Sequence, residues 1–314
     1  MQKISGECGV SENKVIVIAG PTASGKSALA VDAAKFLHGA VVNADSMQVY
    51  KYMPIISACP DETERQSVPH YLFEIYEPQV RGNVVDWLNR AAEVIKQLWN
   101  EGKTPVVVGG TGLYLDNLIN GTTPIPETPA DIREQVAEII KQHGNSHLYN
   151  LLKEVDPEAA KRLSINDSTR LRRAYEVWLH TGRALSEWHK IPMIKKLPEA
   201  KFTVIKICPP VAELDERCYL RFDKMINQGA LKEVEYLAKL NLNADLPAMK
   251  ALGVPELLAF VKGECLLDEA IAEAKLHTRQ YAKRQRTWFN NKLKADFELK
   301  HCYAGDFAEV KSWL

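Results

Sequence analysis

The sequence predicts an α/β protein: a parallel sheet flanked by helices, with an inserted all-helical domain. Three observations predict it. Short β-branched runs alternate with helical stretches through the first half of the chain. Each early run ends in a small or polar residue. A block of helices with no strand among them then interrupts the alternation between about 120 and 200. Continuous apolar runs separated by helices are what a sheet buried on both faces requires. Ligands of such sheets gather outside the carboxyl ends of the strands.

The first run, KVIVIA at 14–19, passes directly into the glycine-rich turn GPTASGKS at 20–27, and residues 27–37 read as a helix. The second run, AVVNA at 40–44, leads into Asp45 and Ser46. A helix is expected over 85–99, and the third run, TPVVV at 104–108, leads into GGTG at 109–112. A proline-punctuated linker follows Gly121, and four helices are expected over 130–143, 148–155, 157–163 and 167–181, with Trp178 and Trp188 in their core. A fourth strand is expected at 201–207. Beyond Pro210 the chain reads as helical to about Asp296, with breaks near Gly229, Pro247, Gly253 and Gly263. The expected organisation is a core of residues 1–119 and 201–314 around a helical domain of 120–200.

Composition narrows the function. The 314 residues carry 40 basic and 40 acidic side chains, so a nucleic-acid partner would need a local basic face. The six cysteines (Cys8, Cys59, Cys208, Cys218, Cys265 and Cys302) include no Cys-x-x-Cys pair, which argues against structural zinc and for reduced thiols in a cytosol. The first ten residues lack the apolar run of a signal peptide, and no stretch approaches about 18 apolar residues. A cytoplasmic protein is expected. The eight histidines show no ligand spacing.

The spacing G-x-x-x-x-G-K-[ST] is met by Gly20, Gly25, Lys26 and Ser27, between a strand and a helix. Glycines let several backbone N–H groups turn inward onto one anion, and the helix start adds positive potential. Lys26 supplies a point charge, and the Ser27 hydroxyl suits Mg²⁺. The predicted fold is therefore P-loop NTPase-like. Read alone, the loop suggests ATP. Asp45, at the end of the second run, suits either a metal ligand or a general base.

Seven segments, in order, carry a resemblance to the tRNA dimethylallyltransferase (tRNA isopentenyltransferase) family. They are GPTASGKS at 20–27, ADSMQVY at 44–50, VVVGGTGLYL at 106–115, NDSTRLRRAYEV at 166–177, LDERCYLRFDKMINQGALKEV at 214–234, ALGVPEL at 251–257 and TRQYAKRQRTWF at 278–289. The resemblance runs from about residue 14 to 292. It implies transfer of a dimethylallyl group from dimethylallyl diphosphate to N6 of the adenine 3′ to the anticodon, in tRNAs reading codons that begin with U. It implies that the loop (Gly20, Thr22, Ala23, Ser24, Gly25, Lys26 and Ser27), with Arg221 and Mg²⁺ on Ser27, holds the donor's diphosphate. Asp45 matches the general base, Thr111 a residue beside the reacting centre, and Arg217 a cation on the diphosphate side. Ser46, Met47 and Gln48, with Asp45, match tRNA contacts, as do Arg133 and the stretch Asn166, Asp167, Ser168, Thr169 and Arg170. No stable protein partner is implied, and a monomer is expected.

The residues fit that chemistry on their own terms. An allylic diphosphate departs once its charge is neutralised, and an exocyclic amine gains from a carboxylate that accepts its proton. Between Lys275 and Lys294 stand seven basic residues and no acidic one. Arg279, Lys283 and Arg286 recur at helical spacing, with Tyr281, Trp288 and Phe289 interleaved. Together with Lys250 and a second cluster around Arg170, they make a candidate RNA face. Two stretches depart from the family pattern. Ile56 and Cys59 stand where glycine and lysine are usual, and Val254-Pro255 replaces a tyrosine and a basic residue. A small-molecule phosphotransferase with ATP in the loop, or an RNA-binding protein without turnover, are the competing readings.

Overall fold

The computed structural model describes residues 13–314; Cys8 and the first ten residues, read above for a signal peptide, lie outside the described residues. The chain divides into two compact units, one of 1–119 with 196–314 and one of 120–195.

The first unit is built on a six-stranded parallel sheet. Its strands are β1 (Lys14–Ala19), β2 (Ala40–Asn43), β3 (His70–Tyr71), β4 (Pro105–Gly109), β5 (Lys201–Ile207) and β6 (Phe297–Leu299). Their spatial order is β3-β2-β4-β1-β5-β6. β1 is central, with Ala19 in register with Gly109 of β4 and Lys206 of β5. Because side chains alternate along a strand, β1 feeds two cores. Val15, Val17 and Ala19 face one, built with Trp87, Leu88 and Ile95; Ile16 and Ile18 face the other, built with Leu29 and Ala33.

The helices of this unit are α1 (Lys26–Phe36), α2 (Glu62–Ser67), α3 (Val84–Asn100) and α4 (Gly112–Asn120), then, after the second unit, α9 (Val211–Gln228), α10 (Ala230–Lys239), α11 (Val254–Val261) and α12 (Leu267–Lys292). α3 is started by Asn83, whose side chain accepts the N–H groups of Val85 and Asp86. Glycines at positive φ, Gly229 and Gly253, separate the later helices, as the breaks in the sequence imply. The short elements α2, α4, β3 and β6 carry too few residues to show a period and were not expected. No helix of the described residues is long and apolar enough to cross a membrane.

The second unit holds α5 (Ala130–Val155), α6 (Pro157–Arg162), α7 (Ser168–Thr181) and the single turn α8 (Leu185–Trp188). α5 is broken at Gly144 (φ 75°, ψ 173°), which yields the two helices expected there. Val136, Leu148, Leu152, Leu171 and Ala174 form its core. Trp178 packs at the margin of that core, half-buried. Trp188 departs from the expectation: it lies outside the cluster, its Nε1 donating to Thr181 Oγ1 at 3.2 Å and Arg183 resting over its ring. Its amphipathic indole satisfies its polar edge locally instead of filling the interior.

Candidate active site

β1 delivers the chain into the turn Gly20–Gly25 at the carboxyl edge of the sheet. Ala23 (φ 63°) and Gly25 (φ 86°) adopt left-handed backbone there, and a Cβ on Gly25 would lie 2.3 Å from the carbonyl oxygen of Tyr303. Glycine is thus required at 25 both for its dihedral and for close approach. The segment after β6 props the turn from behind, since Tyr303 N–H donates to Ser24 O at 3.0 Å and Tyr303 OH to Asp32 at 2.6 Å.

Lys26 is buried, and burial pushes its ammonium down to about 8, although Asp45 pulls it upward. Its one internal contact is the carbonyl of Pro21 at 3.3 Å. Arg221 of α9 donates to the hydroxyl of Thr22, and burial holds its pKa below the usual value. The Ser24 hydroxyl is buried without any hydrogen-bond partner. Two desolvated cations and an orphaned donor inside one backbone cradle fit an anion that accepts many hydrogen bonds.

Asp45 sits one residue beyond Ala44, whose amide still pairs with β4. The side chain of Asn43 shapes this turn by accepting the Asp45 N–H at 2.8 Å, and Asp45 Oδ1 accepts the N–H of Met47 at 2.9 Å. Asp45 Oδ2 faces Gly110, 3.4 Å from where a Cβ there would be. Gly109 lets this loop close on β4: a Cβ would fall 2.0 Å from the carbonyl of Ala44.

Asp45, Thr22, Arg221 and Gln285 line one cavity of about 290 Å³, joined on its apolar side by Met47, Ile56, Phe222 and Met225, and at its rim by Lys250, Tyr281 and Arg284. Gln285 was not singled out in the sequence. Its Oε1 accepts the Thr22 N–H at 2.8 Å and its Nε2 donates to Gly110 O at 2.8 Å, so one buried amide ties α12 to the phosphate loop and to the turn after β4. Thr278, Tyr281 and Gln285 recur at helical spacing on the inner face of α12. That spacing was visible among the basic residues, but it was read only for its charges.

The remaining candidates fall into three groups. Thr111 and Ser46 are beside the site but occupied with each other: Thr111 Oγ1 accepts the Ser46 N–H at 2.9 Å and lies 3.1 Å from Ser46 Oγ. Gln48 is spent on the carbonyls of Ser57 and Ala58. None of these three lines the cavity. Arg217 lies one helical turn before Arg221, beside Cys302, whose thiol is pushed up to about 11 chiefly by burial. Ser27 opens α1 half-buried. Among the described residues no group of three or more His, Cys, Asp or Glu side chains is arranged for a metal.

On α12, Arg279 pairs with Asp215 at 2.6 Å and Arg286 donates to Pro209 O at 2.9 Å, so two of the three residues of the expected basic face are held by protein partners. Lys283 is exposed and, with Arg284, Thr287, Trp288, Asn291 and Lys292, lines a second, open hollow. Lys250 pairs with Asp245 at 2.8 Å. In the second unit, Asp167 caps α7 by accepting the Arg170 N–H at 3.2 Å, Ser168 accepts from Asn145, and Asn166, Thr169 and Arg170 are exposed while Arg133 is half-exposed.

Cys59, at a departure from the family pattern, has its thiol pushed up to about 12 by burial, and it donates to Gln48 O at 3.6 Å. A neutral thiol therefore braces the loop that a cation would have charged. His70 packs on Phe73 and bonds Val68 O at 2.9 Å, with burial lowering its pKa.

This geometry defines a class: an α/β protein with an anion-sized backbone cradle at the carboxyl edge of a parallel sheet and a carboxylate lining the adjoining cavity. A family model described as IPP transferase matches residues 48–292. A tRNA dimethylallyltransferase of Hyphomonas neptunium is 47% identical over 278 residues, 88% of each chain. Among solved structures, the full-length tRNA isopentenylpyrophosphate transferase of Bacillus halodurans aligns with a TM-score of 0.68 and 30% identity, covering 96% of this chain and 94% of that one. A eukaryotic dimethylallyltransferase acting on tRNA aligns with a TM-score of 0.78 and 29% identity over 96% of this chain and 76% of that chain. The chain belongs to the IPP transferase family and is a prenyl-transferring enzyme.

Proposed function

We propose that the protein transfers a dimethylallyl group from dimethylallyl diphosphate to N6 of the adenine 3′ to the anticodon, in tRNAs that read U-starting codons. The observation that carries this is the shared cavity: Thr22 of the phosphate loop, Arg221, the Asp45 carboxylate and apolar side chains line one space of about 290 Å³. A phosphotransferase needs no apolar wall beside its acceptor carboxylate; a prenyl donor does.

The donor's diphosphate lies in the cradle of Gly20, Thr22, Ala23, Ser24, Gly25, Lys26 and Ser27, with Arg221 at the side and Arg217 one turn outward. Lys26, held short of water, gains more from an anion than an exposed lysine would. Mg²⁺ fits the Ser27 hydroxyl together with diphosphate oxygens and water, its usual donor set, and adds charge neutralisation to the leaving group. As the bond from C1 to the diphosphate oxygen breaks, C1 bonds N6, and the amine's proton passes to Asp45 Oδ2, the oxygen not held by Met47. Thr111 acts on this step through Ser46, by fixing the loop that carries Asp45. Such a carboxylate contributes about 10²–10⁴-fold.

An adenine must leave its stack to reach a half-buried carboxylate inside a cavity, so RNA contacts flank the site. Ser46, Met47, Gln48, Lys250, Arg279, Lys283 and Arg286 in the first unit, and Arg133 with Asn166, Asp167, Ser168, Thr169 and Arg170 in the second, are the proposed tRNA contacts. The second unit is proposed to serve tRNA binding rather than chemistry. The protein is placed in the cytoplasm, where tRNA is modified, and acts as a monomer. The test is incubation with C1-labelled dimethylallyl diphosphate, Mg²⁺ and unmodified tRNA. Label in the adenine beside the anticodon supports the reading; no label, with ATP consumed on a small acceptor, refutes it.

A further inference from the structure

We infer that Ile56 is the wall that limits the length of the prenyl tail, an inference that rests on the reaction proposed above. The cavity has polar and apolar lining. Thr22, Asp45, Arg221 and Gln285 supply the polar groups; Met47, Ile56, Phe222 and Met225 supply the apolar ones. The reacting C1 must stand beside both the diphosphate and Asp45. The tail beyond it is apolar and therefore packs on the apolar lining.

Ile56 is fixed there with little room to yield. It is 5% exposed, and its backbone is gripped by Glu233 of α10, whose two carboxylate oxygens accept the N–H groups of Ile55 and Ile56 at 2.8 Å each. Burial raises the pKa of that carboxyl while these two backbone bonds oppose it. The loop is closed further by Ser57 N–H on Met53 O at 3.0 Å and Cys59 N–H on Pro54 O at 2.8 Å. Gly253 (φ +88°) leaves a space that Ile56 and Phe222 both border. A Cβ on Gly253 would lie 2.9 Å from Ile56 Cδ1 and 2.9 Å from Phe222 Cε2. A rigid side chain packed to contact cannot move aside for a longer tail, because close-packed interiors resist even one added methylene. Hydrophobic pockets discriminate by about 10–200-fold for a single methylene, so a wall that meets the end of a C5 tail separates C5 from C10 donors strongly.

The experiment compares dimethylallyl diphosphate (C5) with geranyl diphosphate (C10), in transfer to unmodified tRNA and in direct calorimetric binding. For Ile56→Ala the ratio of C10 to C5 kcat/KM should rise at least about tenfold, whatever happens to the C5 rate, and the ratio of binding constants should rise with it. Ile56→Phe, which adds volume instead of removing it, should weaken C5 binding by at least about tenfold while tRNA affinity stays unchanged. Unchanged C10 to C5 ratios in a folded Ile56→Ala protein would overturn the inference, as would unchanged C5 binding in Ile56→Phe. If the wild type binds the C5 donor but labels no tRNA, the proposed reaction fails by itself, and the binding ratios still decide the role of Ile56.

Discussion

The side-chain oxygen of Gln285 accepts the backbone N–H of Thr22 at 2.8 Å across 263 residues of sequence. The same amide donates to Gly110 O, so two loops that rise from neighbouring strands share one buried crossbar. Removing it leaves an amide and a carbonyl unpaired in a buried place, which costs about 1–3 kcal/mol for each group. Gln285→Ala should therefore lower the melting temperature and reduce kcat/KM for the prenyl donor by more than tenfold. Gln285→Glu keeps the acceptor for Thr22 but sets a carboxylate oxygen against Gly110 O, so it should not rescue. Steady-state kinetics beside thermal denaturation of the three proteins check this; wild-type kinetics in Gln285→Ala would remove the crossbar from the account.

Asp45→Asn is the cleanest perturbation of the base. Asparagine can still accept the Met47 N–H that Asp45 Oδ1 takes at 2.9 Å, so the turn survives while the proton acceptor is lost. Single-turnover transfer should fall by about 10²–10⁴-fold with tRNA affinity within a few-fold of wild type. Equal losses in both measurements would assign Asp45 to RNA binding instead.

Lys26 gives the site a pH signature. In the free protein burial pushes its pKa down to about 8, and a bound diphosphate favours the charged form and raises it. The free-state pKa is the lower one, so binding takes up a proton between the two values. Donor affinity is then fully developed below about 8 and declines as pH rises above it. Calorimetry near pH 9 in buffers of different ionisation enthalpy should show uptake approaching one proton, and Lys26→Met should abolish it. Absence of uptake in the wild type would mean that Lys26 does not meet the diphosphate.

Much of this site was legible in the sequence, and the reasons differ residue by residue. The turn at 20–27 announced itself because its chemistry is local: strand, glycines, lysine and helix follow one another in the chain. Asp45 was legible because a polar residue at the end of a buried run has one place to go in a parallel sheet. Gln285 and Thr278 were hidden, and Tyr281 was read only as an aromatic among basic residues, because their place in the cavity is set by what α12 packs against, and only tertiary structure says that. Arg217 and Gln48 are the converse case. Their residue types suit the chemistry, yet the fold places Arg217 beside Cys302 and engages Gln48 with the carbonyls of Ser57 and Ala58. In the fold, the long elements were predictable from period, whereas β3, with two residues, and β6, with three, have no period to read.

The exposed end of α12 makes an electrostatic prediction. Lys283 and Arg284 line the outer hollow, while Arg279 and Arg286 already have protein partners. The double variant Lys283→Ala/Arg284→Ala should weaken tRNA binding and flatten the plot of log affinity against log salt by about 1 to 2. Arg279→Ala should change that slope less. Filter binding across a salt series distinguishes them, and an unchanged slope in the double variant would take the RNA off this face.

The central claim is that the phosphate loop holds a leaving diphosphate rather than a phosphoryl group in transit. Product stoichiometry tests it most directly: prenylated adenine, diphosphate and orthophosphate measured together in one reaction without ATP. The account predicts one diphosphate released for each dimethylallyl group placed on tRNA, with no orthophosphate and no stimulation by ATP. Orthophosphate release, or transfer that requires ATP, would contradict it.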